Sequence, residues 1–260
     1  NRTGFEVIDF RGFRKIAILE KYDSKLQCGQ CHVEYNCNPG INPKTGEKVG
    51  FNDRRTNHFP LKDVFQIYDH YNALEFRDFK HALTGSLLFK AQHPEAEVFW
   101  NSRHDRAGVT CADCHMIPVS GATASAKAPA KKYTSHWMTS PRVNLEATCL
   151  RCHSYWTPED AEYTIESVKA HIRGKMRKAE FWLGQLIDKI VEAKKAGVPE
   201  DIIKQAQEQH QKAHILWEWW TAENSDGFHN PEQARESLTQ SIAESKKGIE
   251  ILNAALAEKK

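Results

Sequence analysis

Cys28-Gly29-Gln30-Cys31-His32, Cys111-Ala112-Asp113-Cys114-His115 and Cys149-Leu150-Arg151-Cys152-His153 repeat one pattern: two cysteines separated by two residues, with histidine directly after. Cys-x-x-Cys alone suits zinc or a thioredoxin-like redox pair, but a histidine adjoins every copy. Chance would place about 0.01 such patterns in a chain with this cysteine and histidine content. The chemistry accounts for the spacing, because two thiols can capture the vinyl groups of a porphyrin while the adjacent imidazole reaches the iron from the same side. The motifs therefore predict three covalently bound haems of the c type. Seven cysteines are an odd number, which disfavours a closed disulfide framework and leaves Cys37 over.

From Thr157 onward the composition shifts to Ala, Glu, Lys, Gln and Leu, residues that favour long helices. Thr157 before Pro158, Glu159 and Asp160 predicts a helix start, with proline in the first turn and acids facing the positive end of the dipole. Ile165, Val168, Ile172, Met176, Ala179, Leu183, Leu186 and Ile190 then recur at spacings of three and four, a coiled-coil-like seam ending near Gly197. Pro199 opens a second helix reaching Trp217, Trp219 and Trp220. Asn230-Pro231-Glu232 opens a third, with Leu238, Ile242, Ile249, Leu252 and Leu256 as its seam.

Residues 1–156 hold every motif, separated by irregular stretches such as Asn38-Pro39-Gly40 and the Ala/Ser/Lys run 120–132, which reads as a solvated loop. Within 61–90, Val64, Ile67, Tyr71 and Leu74 lie at helical spacing and predict one or two helices before His93. The predicted fold is mainly α: a multihaem cytochrome c domain with little regular sheet over 1–156, then a bundle of long helices over 157–260. Those helices either only pack on the haem part or also use their spare surface for a second copy, as a homo-oligomer.

An apolar fraction of 40% without a long uncharged apolar run describes a soluble globular protein with no membrane-spanning segment. Bases and acids nearly balance, 36 against 34, and no block of like charge stands out, so nucleic acid is not the expected partner. Asn1 opens without a methionine, a basic n-region or an apolar h-region, so the start is expected to be a cut. Bacterial haems of the c type are attached outside the cytoplasm, which predicts a periplasmic protein. Ten of the thirteen histidines lie outside the motifs, and haems that carry electrons usually take a second axial ligand. By position the candidates are His104, His136 and His229; a lone histidine is as readily a surface or core residue.

Cys28-Gly-Gln-Cys31-His32-Val33-Glu34-Tyr35, followed by Lys90-Ala91-Gln92-His93-Pro94-Glu95, resembles the signature of the ammonia-forming cytochrome c nitrite reductases. The order of the motif at 111–115, His136, the motif at 149–153, three helices and Gly227-Phe228-His229-Asn230-Pro231 is similar as well. Tyr35-Asn36-Cys37 looks like the Tyr-x-Cys of the octahaem members, whereas pentahaem members lack that cysteine. Such enzymes carry earlier haems upstream, among them the catalytic one with its lysine ligand, together with an active-site arginine. The resemblance thus implies that this chain is the C-terminal half of an octahaem enzyme that reduces nitrite to ammonium.

The same resemblance implies site roles. Tyr35, His93 and Gln92 would serve the distal pocket. Calcium would be held by the carboxylate of Glu34, the carbonyls of Tyr35 and Lys90, and the side-chain oxygen of Gln92, hard oxygens that suit this ion. The haem at His115 would take His229 and the haem at His153 would take His104; His136 would serve a haem in the N-terminal half, which would in turn supply the ligand for the haem at His32. Tyr35 and Cys37 would be joined by a thioether, the bland alternative being a free buried cysteine. Partners would be nitrite, the N-terminal half, and an electron-donor protein or quinol-linked donor. The rival readings are a non-catalytic trihaem electron carrier and a multihaem hydroxylamine or sulfite oxidoreductase.

Overall fold

The computed structural model describes residues 6–10, 14–18, 24–36, 39–50, 53, 55, 59–120 and 132–259. Cys37 and nearly all of the run 120–132 lie outside them. The structure is mainly helical, and among the described residues its sheet is confined to four two-stranded antiparallel pairs. In chain order these pairs are β1 (Glu6–Phe10) with β2 (Arg14–Ile18), β3 (Gly40–Ile41) with β4 (Lys48–Val49), β5 (Phe79–Lys80) with β6 (Leu87–Leu88), and β7 (Pro118–Ser120) with β8 (Lys132–Thr134). Short helices α1 (Ser24–Cys28), α2 (Ile67–Ala73), α3 (Glu95–Phe99), α4 (Arg103–Arg106) and α5 (Cys111–His115) precede the long α6 (Pro158–Lys195), α7 (Glu200–Ala222) and α8 (Pro231–Ala257). Two compact units form, residues 1–31 with 107–162, and residues 32–106 with 163–260. The division falls inside the first motif, after Cys31.

In the first unit the attachment motifs occupy tight helical turns. Thr110 donates from its amide and its hydroxyl to Asp113 Oδ2 (2.8 and 2.7 Å), which fixes the start of α5. Cys111, Cys114 and His115 then sit at positions i, i+3 and i+4, one face of that turn. Cys149–Arg151 is a 3-10 turn, closed by the His153 amide donating to the Cys149 carbonyl at 2.9 Å.

The second unit is organised by the long helices. α6 begins in the first unit, where Thr157 and Asp160 cap it reciprocally: the Thr157 amide donates to Asp160 Oδ2 (2.9 Å) and the Asp160 amide to Thr157 Oγ1 (3.1 Å). Of the predicted seam, Ile165, Ile172, Ala179, Leu183, Leu186 and Ile190 are buried and Val168 and Met176 half-buried. Gly197, at φ +67°, ends the helix where the seam predicted. Asn230 caps α8 by accepting from the Gln233 amide at 3.3 Å. One core joins Ile172 and Ala179 of α6, Trp219 and Trp220 of α7 and Leu238 of α8 to Val64, Ile67, Tyr71, Phe76 and Phe89. Arg77 locks the second hairpin region to α7, its guanidinium donating to Gln211 Oε1 (3.1 and 3.0 Å) and covering Phe89.

One feature agrees with the sequence expectation and one differs from it. Helix spacing over 61–90 yields one helix, α2, within the expected one or two, after which the chain turns back as β5 and β6. Gly85, at φ +72°, permits that turn, and Leu88 and Phe89 enter the core from the returning strand. The buried face of α8 is also less apolar than its leucine and isoleucine seam, because Ala234, Ser237, Ser241, Ser245 and Gly248 line it. Small residues bring α8 close to α7, and the serines spend their hydroxyls on helix carbonyls: Ser237 on Leu216 and Ser241 on Ala213, each at 2.7 Å. A Cβ on Gly248 would stand 2.7 Å from Leu186 Cδ1 and 3.1 Å from Gln209 Cβ.

Glycine therefore has opposite meanings at two helix positions. Gly248→Ala should destabilise the haem-loaded protein by about 1–3 kcal/mol through overpacking. Gly174→Ala, at an exposed α6 site with nothing within 4 Å of the new Cβ, should stabilise it by about 0.5–1 kcal/mol. Denaturant unfolding of both variants checks this; shifts of the same sign would show that side-chain size does not set the helix spacing at Gly248.

Candidate active site and haem-attachment turns

Among the described residues none of the six motif cysteines is in a disulfide. Burial, with the sulfur of Cys28 beside it, pushes the Cys111 thiol up to about 11; burial also raises Cys114 to about 11, beside Cys149 and Cys152. The His115 ring holds its Nδ1 2.9 Å from the Thr139 carbonyl. A carbonyl can only accept, so Nδ1 carries the proton and Nε2 keeps the lone pair that an iron takes. The His153 ring stacks on Trp156 at 4.2 Å. Paired thiols beside an oriented imidazole are the donor set that haem c needs.

In the second unit, His32 Nδ1 lies 3.5 Å from Glu95 Oε2, and the His32 carbonyl accepts from the Ala96 amide at 3.0 Å. A carboxylate on Nδ1 is the arrangement that makes an imidazole a more basic ligand. Neither the role of Glu95 nor that of Asn224, which donates to it, carries a signal in the sequence. His104 sits on α4 near Phe228, their rings 6.4 Å apart. His229 follows a turn built on Glu223, a fully buried carboxylate accepting from the Ser225 amide (2.9 Å), the Ser225 hydroxyl (2.6 Å) and the Gly227 amide. Its Oε2 also lies 3.6 Å from His229 Nδ1. His136 belongs to the first unit, where its carbonyl accepts from Met138 at 3.0 Å.

The two loops of the nitrite-reductase-like signature meet. Tyr35 and His93 lie with ring centroids 6.3 Å apart and planes 23° from parallel, and Phe59 stands edge-on to Tyr35 at 6.4 Å. Tyr35 is half-buried and His93 exposed. Beneath them Glu34 is buried, accepting from Tyr71 Oη at Oε1 (3.1 Å) and from the Gln92 amide at Oε2 (2.7 Å). Its own amide donates to the Glu97 carboxylate at 3.2–3.3 Å. Burial, reinforced by Glu97, raises Glu34 to about 9, and burial raises Glu97 to about 8. Gln92 Nε2 is buried with no hydrogen-bond partner among the described residues. Rotated about its last bond, that amide presents an oxygen in the same place. A buried carboxylate without a cation and an unsatisfied amide beside it fit a hard divalent ion.

The chain from Lys90 to Gln92 is held by its amides. Lys90 donates to Asp78 Oδ2 (2.8 Å) and Gln92 to Glu34 Oε2 (2.7 Å). Glu218 Oε2 lies 3.2 Å from His214 Nδ1, and burial raises this carboxyl to about 8. Next along α7, His210 is wholly buried with Nδ1 2.8 Å from Ser86 Oγ. Sequence reading assigned nothing to these groups.

These turns and this fold define the class: a c-type cytochrome with long C-terminal helices. The chain belongs to the cytochrome c552 family, whose profile matches residues 5–260. It is 35% identical over 254 residues to the cytochrome c nitrite reductase subunit NrfA of Nitratidesulfovibrio vulgaris, covering 87% of this chain and 44% of that protein. Cytochrome c-552 of Aliarcobacter butzleri is 32% identical over 222 residues, 84% of this chain and 42% of that one. Among solved structures, the cytochrome c nitrite reductase of Desulfovibrio desulfuricans, described for the two calcium sites of its catalytic subunit, superposes with a TM-score of 0.75. Its identity is 28%, over 90% of this chain and 50% of its own. The chain thus spans less than half the length of the curated relatives it matches.

Burial, then the neighbouring histidines, lowers His210 to about 3 and His214 to about 4 from an ordinary 6.5. Below pH 6.5 the unfolded chain takes these protons first, so both histidines withdraw stability as pH falls towards 4. The buried carboxyls, raised on folding, act in the opposite sense. His210→Gln should therefore lose less stability than the parent between pH 6.5 and 4, by up to about 1.4 kcal/mol per pH unit. Parallel curves in a denaturant series across that range would refute the assignment.

Proposed function

We propose that this chain is the C-terminal part of a multihaem cytochrome c nitrite reductase that reduces nitrite to ammonium outside the cytoplasm. The observation that carries it is the approach of Tyr35 to His93 above buried Glu34, in a chain of this family with three attachment turns. A catalytic haem with a lysine ligand, and an active-site arginine, would come from a preceding N-terminal half. Tyr35-Asn36-Cys37 favours the octahaem branch. The partners are nitrite, that half, and an electron-donor protein or quinol-linked donor. Exposed Tyr163 and Phe181 on α6 supply apolar surface for a homo-oligomer.

Conversion of nitrite to ammonium takes six electrons and eight protons. Haem c, when bound, would relay electrons from the donor and offer an iron with an open position. The protein supplies the rest. His93 donates a hydrogen bond to a nitrite oxygen and opposes the negative charge there, while the Tyr35 hydroxyl delivers or relays protons. Their rings are already arrayed side by side, so little reorganisation accompanies nitrite binding. The Glu34 carboxylate, the carbonyls of Tyr35 and Lys90, and Gln92 would hold calcium, tying both pocket loops together. His104, His136 and His229 would act as axial ligands.

His93→Ala in the complete enzyme should lower nitrite turnover about 10²-fold or more with haem content intact, because it removes a pocket donor and no axial ligand. Near-normal turnover would take His93 out of the mechanism. Three haems by mass with no nitrite turnover and no high-spin signal in the full-length protein would favour the electron-carrier reading; turnover of hydroxylamine or sulfite in place of nitrite would favour the other.

Two ligation states can be read directly. His229→Ala should convert one six-coordinate haem to a high-spin one in the electron paramagnetic resonance spectrum, and an unchanged spectrum removes His229 from the ligand set. The peptide spanning Tyr35 and Cys37 should weigh two hydrogens less than its sequence if the thioether forms; full mass rules the bond out.

A further inference from the structure

We propose that Glu223 is a positioning residue for His229: its carboxylate closes the turn between α7 and α8 and, through the Ser225 hydroxyl, fixes the amide of His229, so that the imidazole meets iron from a main chain already held. This inference rests on the reading of His229 as an axial ligand and goes beyond it, because it names what keeps that ligand in place.

The turn is one that the chain does not take up unaided. Asp226 (φ +52°) and Gly227 (φ +78°) are both left-handed, a conformation that glycine adopts freely and aspartate only at a cost. Glu223 closes α7, its side chain has no exposed surface, and both of its oxygens are spent on this turn. Oε2 accepts from the Ser225 amide (2.9 Å) and the Ser225 hydroxyl (2.6 Å), and Oε1 from the Gly227 amide (2.5 Å). Ser225 Oγ in turn accepts from the His229 amide at 2.9 Å. The carboxylate thus reaches the backbone of the histidine through one hydroxyl, and each buried donor of the turn has its acceptor there.

The rest of the turn is anchored separately. Asp226 meets Lys169 (3.2 Å) and Arg173 (3.3 Å) of α6, a Cβ on Gly227 would stand 2.7 Å from Ile172 Cγ2, and Asn230 Nδ2 donates to the Val98 carbonyl at 3.0 Å. Between these anchors the dihedrals from Gly227 to His229 are what the Glu223–Ser225 relay holds. His229 Nδ1 stands 3.6 Å from Oε2, beyond a hydrogen bond to that oxygen, so the positioning runs through the main chain. Glutamine has the shape of glutamate but one acceptor oxygen in place of two. Its NH2 would face either the Gly227 amide or the Ser225 pair, donor against donor. An isosteric substitution therefore breaks the hold while keeping the packing, which separates positioning from the filling of space.

The test uses the complete haem-loaded enzyme, with His229→Ala as the reference that marks the haem concerned by the high-spin signal it creates. Glu223→Gln should show part of that same signal, and cyanide should displace the histidine at about tenfold lower concentration than in the parent, with haem content unchanged. Ser225→Ala removes the bridging hydroxyl and leaves the carboxylate and its Gly227 contact. It should move both readouts in the same direction by less, and it decides the matter where the glutamine variant does not assemble. A parental spectrum and cyanide titration in every variant that assembles, or a high-spin signal that grows only as haem is lost, would overturn the proposal alone. An unchanged spectrum in His229→Ala would overturn the ligand reading and this inference with it.

Discussion

The buried carboxylate of Glu34 governs the pocket. Glu34 follows directly on the first haem motif, and its three polar contacts lead to Tyr71 in the core, Gln92 in the pocket loop and Glu97 on α3. An acid so enclosed is costly as an anion, and burial moves its titration accordingly. The cost is accepted because one residue then joins three parts of the unit, its carboxyl meeting Tyr71 and Gln92 and its amide meeting Glu97. A divalent ion supplied to Glu34 would relieve the same penalty, which is why the ligand set and the folding problem share residues.

Around that point the second unit is built by contrasts of side-chain size. Large aromatics, Trp219, Trp220, Tyr71 and Phe89, fill the space where α7 meets the irregular chain before α3. Serines and Gly248 let α8 lie close against α7, with the hydroxyls of Ser237 and Ser241 absorbed by α7 carbonyls. Long helices thereby form a stiff platform. Short hairpins and one-turn helices, which would not hold a shape alone, are fastened to it through single polar residues such as Arg77 and Gln207.

The attachment turns obey a different logic. Each needs only a local helical turn to bring two sulfurs and an imidazole to one side, and the capping pair Thr110 and Asp113 shows how little chain secures one. The imidazoles then differ by what meets Nδ1: a backbone carbonyl at His115, the Glu95 carboxylate at His32. Such partners change ligand basicity without changing the motif.

Local chemistry is what the sequence by itself determined. The spacing of cysteines and histidine, the caps at Thr157 and Asn230, the seam of α6 and the breaks at Gly197 and Pro199 all act within one or two turns, so their residues announce them. Tyr35 and His93 could be named from flanking motifs, but only the tertiary structure decided that their rings approach. Glu95 and Glu97 were illegible for the same reason: a buried carboxylate is ordinary in a polar stretch until distant amides and imidazoles converge on it. Small residues on α8 were likewise unremarkable until the proximity of Leu186 and α7 gave their size a purpose. The chain carries its short-range signals in spacing, whereas satisfaction of buried polar groups over 60 to 130 positions of sequence exists only once the core has closed.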